Sequence, residues 1–253
     1  GIMPNNDYDR YNFSFRNTTN FLNNKFILDT SANYIIQNDK NMVSQGQYFN
    51  PLTSLYLFPR GEDFSDVAVY ERYDDLSGVN TQYWPYGDLG GVSSQNPYWI
   101  MNRMNRENDR RRYKLAASLQ YNIIEGLNVQ GRVSIDNTES KYTEKFHAGT
   151  VGNFAGPKGR YKEENRLDRQ VYADVLVNFN KTFNEFNVTA NLGASIKDLR
   201  MELTSLHGDL NNVTNHFTIE NLTRSGYYKV NADGLKRQTQ SVFANAEIGW
   251  RSF

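Results

Sequence analysis

Residues 167–196 read LDRQVYADVLVNFNKTFNEFNVTANLGASI, two runs of alternating apolar and polar residues around a short polar break. Leu167, Val171, Ala173, Val175, Val177 and Phe179 fall on one parity of the first run; Phe186, Val188, Ala190, Leu192, Ala194 and Ile196 do so in the second. A side-chain period of two places each set on one face of an extended strand. The stretch therefore predicts a β-hairpin, with Lys181-Thr182-Phe183-Asn184 as its turn.

The same pattern recurs on both sides. Upstream, Tyr113, Leu115, Ala117, Leu119 and Tyr121 face Leu127, Val129, Val133 and Ile135 across Glu125-Gly126. The reverse face of that hairpin carries Lys114, Ser118 and Gln120, then Asn128, Gln130, Arg132, Ser134 and Asp136. Farther upstream, Tyr11, Phe13 and Phe15 precede Phe26, Leu28, Ala32 and Tyr34, with Leu22-Asn23-Asn24-Lys25 as the turn. A seventh segment, bearing Val242, Ala244, Ala246, Ile248 and Trp250 on one side, runs toward the chain end and is expected to stop in the middle of a strand.

The connections fall into two classes. Turns inside hairpins take a few residues, whereas the links between hairpins are long, at 38–111, 147–165 and 202–236. Short and long connections alternate in this way in outer-membrane barrels, which have tight periplasmic turns and long extracellular loops. Phe21, Phe26, Tyr121, Phe179 and Phe186 flank the short turns and would form a periplasmic aromatic girdle. Ten alternating residues at ~3.3 Å each, tilted by ~40°, span about 25 Å of apolar height, the thickness such a barrel must match.

Composition agrees. Hydrophobic residues make up 38% of the 253 and mean hydropathy is −0.72, yet 17 Tyr and 15 Phe raise the aromatics to 14%. A soluble globule fills its interior with Leu, Ile and Val, while a barrel wall is apolar on one face only. A soluble β-sandwich shares the alternation but needs a second apolar layer to cover the first. No apolar run approaches the ~20 residues of a membrane helix, so a membrane crossing would use strands. Basic and acidic residues balance at 28 each, which offers no field to recruit nucleic acid. Cysteine is absent, excluding disulfides, thiol nucleophiles and Cys-based metal sites. The opening Gly1-Ile2-Met3-Pro4-Asn5-Asn6 has no charged start followed by an apolar core. An envelope protein with this sequence is thus expected to begin after a removed signal, or well inside a longer polypeptide.

Several constellations invite a chemical reading. His147, His207 and His216 lie in expected loops without ligand spacing, and read as surface residues. The pairs Asp74-Asp75 and Glu163-Glu164 lack the separation of glycosidase carboxylates. Asp39-Lys40-Asn41 lacks the spaced ladder of a calcium loop. The run from Arg103 to Arg112 interleaves five arginines with Asn, Glu and Asp, which suits a salt-bridged rim or a strand mouth facing a polar lumen. No catalytic, metal-binding or cofactor-binding group is expected, and the chain does not read as an enzyme. The long first connection carries helical hints at 51–58 and 64–73 and the aromatic stretch Tyr83-Trp84-Pro85-Tyr86-Gly87. Tyr83, Trp84, Tyr86, Tyr98 and Trp99 are the candidate substrate-binding residues, since aromatic faces stack on sugar rings or hold peptide side chains. Loop packing, or docking against a partner, would use the same residues.

The run Asn96-Pro97-Tyr98-Trp99-Ile100, then Asn105-Arg106-Glu107-Asn108-Asp109-Arg110-Arg111-Arg112-Tyr113, Gly126-Leu127 and Val129-Gln130-Gly131-Arg132-Val133, resembles the SusC/RagA family of TonB-linked outer-membrane proteins of Bacteroidota. So do Gly1-Ile2-Met3-Pro4-Asn5 leading into Tyr11-Asn12-Phe13, and Gln240-Ser241-Val242-Phe243-Ala244 leading into Gly249-Trp250. The resemblance spans nearly the whole chain. It implies an all-β, antiparallel up-and-down transmembrane barrel of about 22 strands, of which residues 1–253 would supply about seven together with long extracellular loops. It also implies an outer-membrane TonB-dependent importer of oligosaccharides or peptides that works with a SusD-like surface lipoprotein. The inner-membrane TonB complex would drive it through N-terminal parts. The plug, TonB box and N-terminal extension of the family are not visible in this sequence, so the chain is expected to be the middle of such a protein and not to transport by itself. A soluble all-β glycan-binding module is the competing expectation.

Overall fold

The structure, a computed structural model, describes residues 3–43, 46, 48–86, 94–223 and 229–250. Seven long strands form one sheet: β1 (Asp7–Phe21), β2 (Phe26–Lys40), β5 (Met104–Ile124), β6 (Leu127–Phe146), β7 (Arg160–Phe183), β8 (Phe186–Asp209) and β9 (Lys229–Trp250). They pair antiparallel in chain order, an up-and-down meander with β1 and β9 at its edges. A separate hairpin of β3 (Glu71–Asp74) and β4 (Val79–Gln82) lies in the long connection between β2 and β5. That connection also holds the short helices α1 (Pro51–Tyr56) and α2 (Pro97–Arg103). No helix among the described residues is long and apolar enough to cross a membrane.

The expected faces hold in every long strand. Directly paired residues share a face, so one row runs Phe21, Phe26, Tyr121, Val129, Val177, Leu192 and Ala244 across all seven strands. Above it, Leu119, Val175, Ala194 and Val242 continue the same surface. Val175, Leu192, Val242 and Ile248 are 53%, 56%, 80% and 71% exposed, so no second layer among the described residues covers this face. A sandwich would bury these side chains.

The register adds a stagger. Phe21 ends β1 level with Val177, yet β7 continues six residues farther to Phe183 before its turn. Six residues over the four strand steps from β1 to β7 is about one and a half residues per strand. At ~3.3 Å per residue along the chain and ~4.8 Å per strand across, strands lean about 45° from the perpendicular to the line joining their turns, at the upper end of the tilt of closed barrels. The upper edge of the apolar surface drifts the same way, from Tyr11 in β1 to Val242 in β9.

Turn chemistry explains the short connections. Leu22, Asn23 and Asn24 all take positive φ, and the Lys25 amide closes the turn on the Leu22 carbonyl at 3.1 Å. Gly126 has φ +81, and a Cβ there would stand 2.3 Å from the Asn180 carbonyl oxygen, so only glycine fits beside β7. The third turn differs from expectation: pairing persists to Phe183 and Phe186, leaving Asn184-Glu185 as the turn. Asn184 adopts φ +53, which lets the strands run two residues past the point where Lys181 interrupts the apolar pattern. Around these turns Phe26 stacks on Tyr121 at 4.6 Å and Phe186 on Trp250 at 6.5 Å, a girdle that also includes Phe183.

The long connections are shorter than expected, at 41–103, 147–159 and 210–228, because the strands outrun their apolar segments. The beginning of β5, MNRENDRRR, is polar on both faces and shows no alternation, yet it pairs residue by residue with β6. Of the two helical hints, 51–58 becomes α1, whereas 64–73 splits into a 3-10 turn at Phe64–Ala68 and the strand β3. The link 210–228 contains a 3-10 turn at Ile219–Asn221.

Candidate functional site

The reverse face of the sheet is polar and internally paired. Arg16 bonds Asp29 at 3.0 Å, Arg112 bonds Asp136 at 2.6 Å and Arg132 bonds Asp174 at 2.8 Å, each between neighbouring strands. Nearer the turns, Asn122, Asn128, Asn178, Asn191 and Asn245 are successive cross-strand partners. Asn178 donates to Asn128 Oδ1, and Asn191 to Asn245 Oδ1, both at 2.8 Å. This asparagine rung draws one residue from each of five strands.

At the opposite end from the short turns, the first long connection folds into a cap. Asn50 and Asn96 N-cap α1 and α2, each followed by proline at the first helical position. Asn96 is fully enclosed; its amide also donates to the Val67 and Tyr83 carbonyls at 2.9 and 3.1 Å. It thus ties three parts of the connection together. Arg103 grips Glu71 with two bonds, at 2.7 and 2.8 Å, and holds the Glu71 carboxyl below the usual range. Asn41, with φ +51, ends β2 by accepting from the Arg106 amide at 2.8 Å and donating to the Met101 carbonyl at 3.0 Å. A backbone splice, not a calcium ligand, accounts for its place after Asp39 and Lys40.

The five sequence-predicted aromatics are divided by this cap. Trp84 meets Tyr86 edge-on at 5.1 Å, and Tyr86 meets Phe58 at 4.9 Å. Phe58 contacts Phe64 at 5.3 Å, and Phe64 lies 6.4 Å from Tyr98. Tyr83 lies beneath the Arg72 guanidinium, 3.3 Å from its ring centre. Four of the five are half-buried, and three of them, Trp84, Tyr86 and Tyr98, are joined through Phe58 and Phe64 in one series of rings, while Tyr83 packs under Arg72. Trp99 is apart from them: its side chain is sealed among Ile100, Met104, Phe146 and Ala155, and its indole N–H donates to Thr150 Oγ1 at 3.0 Å. Gly87 lies outside the described residues.

Sequence reasoning missed Phe58 and Phe64 as members of the surface. Their place in an exposed apolar-rich segment beside Asp63 was the available signal. Desolvation, then the acids Glu62, Asp66 and Asp63, push the Tyr86 hydroxyl up, so it stays a neutral donor. A ring surface that carries tyrosine hydroxyls and an acidic rim can stack on a sugar or hold an apolar side chain.

The remaining constellations have structural places. Glu163 bonds Tyr161 and Asn165, while its neighbour Glu164 pairs with Lys162 on the opposite face of β7. Asp74 accepts from the Leu76 and Ser77 amides in the β3–β4 turn. His147 packs on Phe217 at 4.9 Å, and burial pushes its pKa down. Among the described residues no three His, Asp or Glu side chains gather at metal-binding distance. Within Arg103 to Arg112, Arg103 and Arg112 sit in ion pairs, and Glu107 pairs with Lys145 at 3.0 Å.

No family model matches the chain, and no curated protein matches it in sequence. Solved structures do match. The RagAB peptide importer in its "open-open" state superposes with a TM-score of 0.68, and in its "closed-closed" state with 0.69. A structure of the RagAB peptide transporter also gives 0.69. Each is 12% identical, and the alignment covers 97% of this chain and 26% of the other. The likeness is therefore one of fold, over about a quarter of those chains.

Proposed function

We propose that this chain is part of the wall of an outer-membrane transport barrel, the barrel domain of a TonB-dependent importer of the SusC/RagA kind. One observation carries the reading: an exposed apolar band on one face, drifting with the strand stagger, backs a wet face of paired charges and asparagines. Lipid would cover the band and water the reverse. The sheet edges at β1 and β9 would pair with further strands of a barrel of about 22. Oligosaccharides or peptides would pass the polar face, with Tyr83, Trp84, Tyr86 and Tyr98 contacting them at the extracellular mouth and Trp99 holding that cap in place. A SusD-like lipoprotein would lid the mouth, and the TonB complex would act through a plug and N-terminal parts of the whole protein.

The test is an arginine depth series in the intact protein. Leu192 lies six residues above its turn, in the middle of the band. Leu192→Arg should lower folding in lipid by ~2–4 kcal/mol. Leu167 lies above the band, level with Glu139 and Glu202. Leu167→Arg should change folding by about 0–1 kcal/mol. Equal folding yields for the two variants, or a stable detergent-free monomer, would replace this reading with a soluble glycan-binding module.

A further inference from the structure

Of the nine ion pairs among the described residues, six use arginine: Arg16, Arg103, Arg112, Arg132, Arg166 and Arg200. Arg106 and Arg160 are in none, yet each is drawn in from solvent. Nη2 of Arg106 and Nε of Arg160 are buried without an acceptor. A buried, unpaired N–H costs about 1–3 kcal/mol, and more on a charged group, so two at one place call for an explanation.

Both line the same cavity, of about 340 Å³, on the polar side of the sheet just above the apolar band. Alternation puts Arg106, Tyr142, Glu144, Phe146 and Arg160 on the face that carries Arg112 and Asp136, with Glu144 opposite Arg106 and Phe146 opposite Arg160. Rings form the other walls. The Arg106 guanidinium lies 4.7 Å from the centre of Phe49 and 5.7 Å from that of Phe146, and Phe154 meets Phe49 edge-on at 4.8 Å. Stacking of this kind fixes the plane of the guanidinium and leaves its edge for a ligand.

Charge balance identifies the missing partner. Glu144 is the one carboxylate lining the cavity and is engaged by the Tyr142 hydroxyl at 2.7 Å. Lys162, next along the wall, is paired with Glu164 at 3.0 Å. Two guanidinium groups thus face one occupied carboxylate, an excess of one positive charge. Planar N–H pairs match a carboxylate best, and the volume admits one carboxylate with a ring or short apolar group attached.

We infer that this cavity is a subsite for a carboxylate carried on a ring or apolar body, gripped by Arg106 and Arg160 between Phe49, Phe146 and Phe154. It deepens the transport reading, on which it rests, by assigning the cargo an acidic terminus. A peptide end or acidic side chain and a uronic acid residue share that chemistry.

The experiment is calorimetric titration of the full-length protein in lipid nanodiscs. Four probes are used: N-acetylphenylalanine, its carboxamide, a uronic acid disaccharide and the matching neutral disaccharide. At least one acid should bind about tenfold or more tighter than its neutral counterpart, about the worth of one charge-assisted pair. Which acid does so separates the peptide source from the glycan source. Arg106→Gln and Arg160→Gln should each abolish the preference, whereas Arg169→Gln, on the outer face, should keep it. Equal binding of acid and neutral probes by the wild-type protein overturns the subsite whether or not any variant folds. So does a preference that survives both cavity variants. Folding into the nanodisc is read separately, so failure of the subsite leaves the barrel reading standing, and failure to insert counts against the barrel alone.

Discussion

Arg132 and Asp174 stand directly opposite one another on β6 and β7, joined by a two-pronged grip: Nε to Oδ1 at 2.9 Å and Nη2 to Oδ2 at 2.8 Å. The Asp174 side chain is fully enclosed while Arg132 is about half open, at 0% and 47%. Removing the acid leaves a cation that water can reach, whereas removing the arginine strands an enclosed carboxylate. Arg132→Ala should therefore be the costlier change, about 2–3 kcal/mol against about 1 kcal/mol for Asp174→Ala. Urea unfolding of the intact protein reads the difference, and the reverse order would contradict the geometry.

Trp99 and Tyr86 were equivalent candidates in the sequence and should separate on substitution. Trp99→Ala opens a cavity in the cap core and should cost about 3–5 kcal/mol, seen as lost protease resistance of residues 41–103. Tyr86→Ala should leave that resistance intact and, on the proposed reading, weaken binding of an oligosaccharide or peptide probe by about tenfold, as one stacking contact would. Unchanged affinity in Tyr86→Ala would remove it from the substrate surface.

Gly193 supports a ring. A Cβ at this position would meet Phe243 of the neighbouring strand at 2.4 Å, with the aromatic lying across the glycine. Gly193→Val forces the ring off and should cost about 1–3 kcal/mol. The double variant Gly193→Val with Phe243→Ala should recover much of that loss in the same unfolding assay.

Acid should loosen the cap in two steps. The Glu71 carboxyl is held low by the Arg103 hydrogen bonds, so its stabilisation is present above the unfolded pKa of about 4.3 and is lost as pH falls through the lower folded value. The His147 imidazole is also depressed, by burial, so below about pH 6.5 the open form takes the proton first and is favoured. Amide exchange at 71–82 and 147–150, corrected for intrinsic rate, should accelerate first below about 6.5 and again below about 4.3. His147→Gln should erase the first step and Glu71→Gln the second.

The legible part of this fold was the part with one dry face. Val175, Leu192 and Leu119 announce their strands because a period of two is visible only when one parity is apolar. Above the band both faces are wet, and the pairing of Arg106 with Glu144 or of Phe146 with Arg160 leaves no periodic trace. Strand ends were therefore misjudged by up to eight residues at the start of β5, which was expected near Arg112 and begins at Met104. The aromatic surface was half legible: Trp84, Tyr86 and Tyr98 fall in one series of rings, but the split between Tyr98 and Trp99 depends on which side of a seven-residue helix meets Phe146.

Local order, hairpin connectivity and the identity of the apolar face were thus determined by the sequence itself, since each rests on neighbours within about ten positions and on turn residues such as Asn23 and Gly126. The stagger of about one and a half residues per strand, the five-strand asparagine rung, and the meeting of Arg106 with Arg160 were decided only by tertiary structure. Each joins residues from different strands, and cross-strand hydrogen bonding sets their register without marking any one strand.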